Sequence, residues 1–298
     1  MRRRNIILIL SVIALSSLLI VQNVFAGAWT VPKYKVWGEY FMAWKASNKY
    51  FYEGGNRDNM SNNAKSWEFV MEPKLEFGVT DWLTALGSVE YKEAHYKEYA
   101  RPTTWGPFTR KNSDITNIKL GGRLRLIQEP VVLSTQTKVF IYPGYGNFHG
   151  DDPAFTNIPG LGKGDDAYEQ RIMISKIFSI PFSENYKLPI ILGAETGYRV
   201  RTRHVCNDIP YFVEGGFWPV PWLLLKTEID GYKAHAGTGS LKEDYGLWRV
   251  GASWQIFGDS ELRQGDKVFN IEFQYGVVLW GKNTNASEEF VVKVATQF

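Results

Sequence analysis

The sequence predicts an all-β protein, a closed antiparallel transmembrane β-barrel of about twelve strands with both termini on the periplasmic side. Three observations predict it. Segments with one apolar and one ionisable face recur from Tyr34 to Phe298. Long and short connections between them take turns. The chain also closes on a strand, Phe290–Phe298, in which Phe298, Thr296, Val294, Val292 and Phe290 share a face, because side chains alternate with period two. An aromatic last residue on an apolar face is the form by which terminal strands of bacterial outer-membrane barrels are recognised during assembly, so Phe298 is the candidate assembly signal and the barrel-assembly machinery an expected partner. A soluble sandwich accounts for one such strand but has no reason to alternate its loops.

The other end of the chain agrees. Met1-Arg2-Arg3-Arg4 is a positive region, Ile6 through Val21 an apolar one, and Val24-Phe25-Ala26 places small residues three and one positions before Gly27. That is a secretory signal, residues 1–26, with cleavage after Ala26 and a barrel domain over 27–298. Beyond Gly27 no apolar run approaches the roughly 20 residues of a membrane helix. Without Arg2, Arg3 and Arg4 the chain keeps 31 of its 34 basic residues against 31 acidic ones. The mature protein is therefore near neutral, and nothing favours nucleic acid as a partner. The single Cys206 cannot form an internal disulfide. The 11 Trp, 16 Tyr and 18 Phe suit the aromatic girdles of a membrane barrel, although sugar-binding sandwiches are Trp-rich too.

Each strand follows from its own alternation. Over Lys33–Ala46, Tyr34, Val36, Gly38, Tyr40, Met42 and Trp44 share one face. Over Lys65–Val79, Trp67, Phe69, Met71, Leu75 and Phe77 oppose Glu68, Val70, Glu72, Lys74 and Glu76. Thr80-Asp81 turns the chain into Trp82–Glu93, where Leu83, Ala85, Gly87, Val89 and Tyr91 face lipid. Next, Ile118, Leu120, Gly122, Leu124 and Leu126 oppose Asn117, Lys119, Gly121, Arg123 and Arg125. Val131–Pro143 and Ala167–Phe178 follow, the latter with Ile172 and Ile174 opposite Glu169 and Arg171. Ile190, Leu192, Ala194, Thr196, Tyr198 and Val200 then oppose Ile191, Gly193, Glu195, Gly197, Arg199, Arg201 and Arg203. Ile209–Trp218, Trp222–Tyr232, Tyr245–Phe257, Lys267–Trp280 and Phe290–Phe298 complete an even set, as single-chain bacterial barrels require.

The connections Ser47–Ala64, Ala94–Ser113, Gly144–Gly164 and Lys233–Lys242 are long. Thr80-Asp81, Gln128–Pro130 and Pro219–Pro221 are short, with Ile180–Pro189 and Gly258–Asp266 as longer exceptions. Short periplasmic turns and longer outer loops are the barrel arrangement. Charge on the lipid side costs about 2–4 kcal/mol at midplane for Lys or Arg, so the ionisable faces must line the lumen.

At Glu76-Phe77-Gly78-Val79-Thr80-Asp81-Trp82-Leu83-Thr84 the chain resembles an outer-membrane family associated with the meta-pathway of phenol degradation, which carries a Tyr-Gly-Leu-Thr-Asp-type turn before a Leu-Thr strand. Gly27-Ala28-Trp29-Thr30-Val31-Pro32-Lys33 is similar to that family's Gly-x-Trp-x-x-Pro-Lys opening, and Gly281 through Phe298 to its final hairpin. The resemblance implies a barrel serving as a passive route for small organic compounds; some relatives are linked to exopolysaccharide instead. Long-chain fatty acid channels, to which the family is often likened, place a plug before the first strand. Here only Gly27–Pro32 precedes it, so the expectation is that no N-terminal hatch fills the lumen and that any gate comes from the outer loops, above all Gly144–Gly164.

Arg199, Arg201 and Arg203, spaced by two with Glu195 one step lower, form the most distinctive charge constellation. Two readings stand: a network that stiffens a narrow barrel, or a cationic constriction favouring anions. Glu169, Arg171 and Glu214 lie on neighbouring inner faces and can pair across strands. Glu68, Glu72 and Glu76 make an acidic row, and Lys119, Arg123 and Arg125 a basic one. No catalytic motif of the Gly-x-Ser-x-Gly or His-Glu-x-x-His kind occurs. His95, His149, His204 and His235 fall in loops or at strand ends, without a serine at a recognisable spacing. Asp151-Asp152 and Asp165-Asp166 read as solvated loop acids rather than a metal site, and no cofactor is implied. The expected role is passive passage of a small solute through a charged lumen in the outer membrane, with surrounding lipid as partner. The rival is a non-conducting barrel acting through its surface loops in exopolysaccharide or cell-envelope organisation.

Overall fold

A computed structural model describes residues 27–98, 108–144, 161–183, 186–202, 206–235, 242–257 and 268–298. The signal segment, Arg203, His149, His204, Asp151, Asp152 and most of Gly144–Gly164 lie outside the described residues. The strands are β1 (Val36–Ser47), β2 (Lys49–Phe51), β3 (Arg57–Asn59), β4 (Lys65–Thr80), β5 (Leu83–Glu98), β6 (Phe108–Ile127), β7 (Val132–Ile141), β8 (Ala167–Ser183), β9 (Tyr186–Arg201), β10 (Asp208–Val220), β11 (Leu223–Ala234), β12 (Asp244–Phe257), β13 (Val268–Lys282), β14 (Thr284–Asn285) and β15 (Glu288–Gln297).

Twelve of them close into one antiparallel barrel, in which each long strand pairs with its neighbour in the chain. Closure is made by β1, which lies between β4 and β15. It runs from Trp37 against Gln297 to Ala46 against Glu288, and from Val36 against Phe77 to Ser47 against Ser66. A closed sheet has no edge, so every backbone polar group finds a partner, as a hydrocarbon surround demands. The period-two pattern decides which face is which. Leu75, Ile172 and Leu120 point outward and are 60%, 59% and 51% exposed, whereas Glu169 and Glu76 point inward and are 0% and 3% exposed. Among the described residues no helix is long and apolar enough to cross a membrane.

Three expectations change. The link at Ile180–Pro189 is a tight hairpin, because β8 runs on to Ser183 and β9 resumes at Tyr186. Strand β6 begins at Phe108, well before the alternation that announced it. A bulge explains why: Glu90 pairs with Asn117 but Tyr91 pairs with Ile115. Thr116 is the extra residue, and its hydroxyl donates to the Glu90 carboxylate at 2.6 Å. Inserting one residue flips the parity of the strand, so Ile115 and Ile118 both face outward. The connection Ser47–Ala64 is also not plain loop. Its β2 and β3 join β14 in a small sheet seated on a cluster of Phe51, Leu247, Val278 and Ala286. This sheet lies at the far end of the barrel, away from Phe298.

The near end, where Val36 exchanges backbone hydrogen bonds with Phe298, holds the main correction. Gly27–Val31 enters the barrel and closes its near end. Ala28 and Val31 are fully buried. Ala28 packs with Val132 and Met173, Val31 with Trp37 and Ala295, and Trp29 against Ile191, Trp218 and Leu224. A stretch too short for a hatch in the manner of fatty acid channels is long enough to stop a twelve-stranded barrel. Burial of this apolar cluster favours the seated position at roughly 25 cal/mol for each Å² removed from water.

The lumen as candidate functional site

The interior is layered along the barrel axis, and the plug forms its floor. Ser134 Oγ donates to the Ala28 carbonyl. Arg123 Nη1 donates to the Trp29 carbonyl at 2.7 Å. Thr30 Oγ1 donates to the Asp81 carbonyl at 2.7 Å, and the Val31 amide donates to Thr84 Oγ1 at 2.9 Å. Each anchoring side chain comes from an inward position of β5, β6 or β7. Arg123 also donates two hydrogen bonds of 3.1 Å to the Glu76 carboxylate and two, of 3.1 and 2.9 Å, to Gln136 Oε1. Arg123 and Glu76, expected among the lumen charges, line the bottom of the lower cavity and also hold its floor. Arg125, one inward position closer to the turn, lies outside the cavity above the plug.

Above the floor lies a cavity of about 530 Å³, and above that a second of about 870 Å³ that opens among the far-end connections. Both are lined by Lys119, Phe140, Arg171, Arg199, Asp230 and Arg249, which form the waist between them. Four of those six are cations and one is an acid. The Phe140 ring has the Arg199 guanidinium 4.9 Å and the Lys119 ammonium 6.0 Å from its centre, within cation–π range.

The charged wall is a chain of pairs. Glu195, Arg171, Glu169, Arg199, Asp208, Arg201 and Asp165 alternate in sign up β8, β9 and β10, at 3.1, 2.7, 2.5, 3.5, 2.8 and 3.1 Å. The arginine ladder is thus interleaved with acids from both neighbouring strands. Lys119 bridges Glu72 and Glu90 at 2.8 Å each, and Lys92 pairs with Glu68 at 2.9 Å. Arg249 lies 3.0 Å from Glu228 and also pairs with Glu289, while Lys226 and Lys293 each meet Glu272 at 3.0 Å.

Sequence reading assigned no role to Lys138, Phe140, Arg249, Glu228 or Glu272. Alternation along Trp222–Tyr232 could have flagged Lys226 and Glu228. Lys138 shows no such signal, because β7 alternates between polar and apolar residues too weakly to assign its faces. Yet Lys138 faces the lower cavity and, among the described residues, is the lining cation that no carboxylate approaches within ion-pair distance.

At the far mouth, Leu161 is buried beside Ala94 and Tyr142. Lys163 sits 4.2 Å from the centre of the Tyr232 ring and 3.5 Å from Glu243. Burial lowers the Lys163 pKa from the ordinary lysine value, against the pull of Glu243. His95 lies on the exterior, stacked on Trp67 with ring centres 4.8 Å apart and bonded to Glu93. Among the described residues no group of three or more His, Cys, Asp or Glu is placed to hold a metal ion.

No family model matches the chain, and no curated protein matches it. Solved structures do. The COG4313 outer-membrane channel from Pseudomonas putida F1 is similar over 92% of this chain and 98% of its own, at 13% identity and a TM-score of 0.63. The transport unit of the autotransporter AIDA-I from Escherichia coli is 10% identical over 97% of this chain and 96% of its own, with a TM-score of 0.47. The first likeness is one of fold: this chain folds as outer-membrane barrels do.

Proposed function

We propose that the protein is an outer-membrane channel for passive passage of small solutes, that the waist gives it a preference for anions, and that the plugged end faces the periplasm. The observation that carries this reading is the pair of stacked cavities, of about 530 and 870 Å³, sharing a ring in which Lys119, Arg171, Arg199 and Arg249 outnumber Asp230. Rings of Arg or Lys select anions in pores. Ion-paired cations still present N–H groups to a passing anion, and Lys138 presents an ammonium with no carboxylate of its own. A barrel of this strand number lies between one filled by side chains and one with an open aqueous channel. Removal of the plug then decides how far the lower cavity opens. The apolar exterior, the ionic interior and the likeness to an outer-membrane channel support the same reading.

Planar-bilayer recording of the purified protein tests it. The native chain is expected to show small, steady conductance with chloride favoured over potassium, and a chain lacking Gly27–Val31 a larger one. Lys138→Glu and Arg199→Glu should each lower the chloride-to-potassium permeability ratio several-fold. If native and shortened chains both leave the bilayer silent, the barrel is non-conducting. The surface-loop role in polysaccharide or envelope organisation then takes its place.

A further inference from the structure

We propose that Glu195, with Glu214 beside it, is the receptor for the α-ammonium group that signal-peptide removal creates at Gly27, so that processing of the chain locks its own plug. The inference rests on export with cleavage after Ala26 and does not depend on whether the barrel conducts.

Three observations meet at this point. A Cβ built on Gly27 would stand 1.7 Å from Glu195 Oε1 and 2.9 Å from the Met173 methyl. A side chain there would have to push the ends of Glu195 and Met173 aside, and by bond geometry the Gly27 nitrogen lies within roughly 4 Å of that oxygen. The two oxygens of Glu195 also divide their work: Oε2 takes the Arg171 guanidinium at 3.1 Å, which leaves Oε1 on the Gly27 side. Finally, Glu214 occupies the next strand, with Glu195 opposite Phe212 and Glu214 opposite Gly193. It is 9% exposed, and its Oε1 is buried with no hydrogen-bond partner. A buried carboxylate oxygen left unsatisfied is costly. Glu195 shares its one arginine, Arg171, with Glu169, so a further cation on the Gly27 side is favoured.

Within the precursor the Gly27 nitrogen is a neutral amide. Hydrolysis of the Ala26–Gly27 peptide bond adds water across it and releases a carboxylate on Ala26 and an amine on Gly27. That amine has an ordinary pKa of about 7.7–8.0, and a neighbouring carboxylate favours its charged form. The anchors already described at Ala28, Trp29 and Val31 hold the new terminus in register with Glu195. The chemistry recognised is therefore a primary ammonium on an unbranched carbon, supplied by the chain itself.

The test begins with the amino terminus of protein extracted from membranes. Sequencing should read Gly27 first, and any other residue overturns the proposal. Amide exchange at residues 28–31 is then followed by mass spectrometry for four barrels: native, Glu195→Gln, a chain with Ser-Gln inserted after Ala26, whose processed terminus is then Ser, and the combination. The insertion leaves every side chain intact, and its closure is checked by heat-modifiable gel mobility. Exchange should rise about tenfold in the insertion and in Glu195→Gln, and no further when they are combined, because both remove one ion pair. Unchanged protection in the insertion, or effects that multiply, overturns the receptor. Because these readouts do not involve conduction, a silent bilayer would leave them standing.

Discussion

Among single residues, Arg123 carries more than its neighbours. It ties β6 to Glu76 on β4, to Gln136 on β7 and to the Trp29 carbonyl of the plug, with its side chain 6% exposed and that of Glu76 4%. Removing one partner of a buried pair leaves the other uncompensated, at about 3–5 kcal/mol. Arg123→Met is therefore expected to destabilise the barrel by that amount in urea titrations in detergent, and to expose Trp29 to aqueous quenchers. Arg125→Gln, two positions along the same face, should change stability by less than about 0.5 kcal/mol. The sequence makes the two arginines indistinguishable, since both follow from one alternation. What separates them is a carbonyl from a segment nearly a hundred residues upstream in the chain. The same limit applies to Arg199 and Arg201: their spacing is plain in the sequence, but Glu169, Asp208 and Asp165, which pair with them, come from other strands and a loop.

Among elements, the strands were legible wherever one face is greasy along the whole length. Lys65–Val79 is read within a residue of β4, because Trp67, Phe69, Leu75 and Phe77 never leave the exterior. The first half of β6 was illegible because Thr116 switches its parity and because Ser113 and Asp114 give it no apolar face. The plug was illegible for a different reason. Ala28, Trp29 and Val31 follow neither a helical nor a strand period, since what they match is the inner shape of a barrel the rest of the chain has to build. The exterior reading makes a direct prediction. Leu120, 51% exposed on β6, should tolerate Ile, whereas Leu120→Arg should cost about 2–4 kcal/mol in lipid-bilayer folding titrations. If it sits away from midplane, the cost falls toward the lower figure or below it.

At the scale of the whole molecule, the lumen is close to electrically balanced, and its selectivity comes from placement rather than from a large net charge. Acids and bases alternate around the wall, while the waist and Lys138 tip a short stretch of the path toward cations. Such a local field is screened over about 10 Å at 0.1 M salt and about 3 Å at 1 M. The chloride preference expected in bilayers should accordingly decline as KCl is raised between those concentrations, and a ratio unaffected by salt would point to size rather than charge as the filter. Barrel closure also imposes an order of events. The Ala28 carbonyl meets Ser134, 106 residues further on, and Val31 packs on Ala295, almost at the end of the chain. The plug therefore cannot complete its packing until β15 has zipped onto β1. Such non-local contacts form slowly because a long loop must close before they reward it. The last strand thus does two jobs: it seals the wall of the cylinder and completes the seat on which its floor rests.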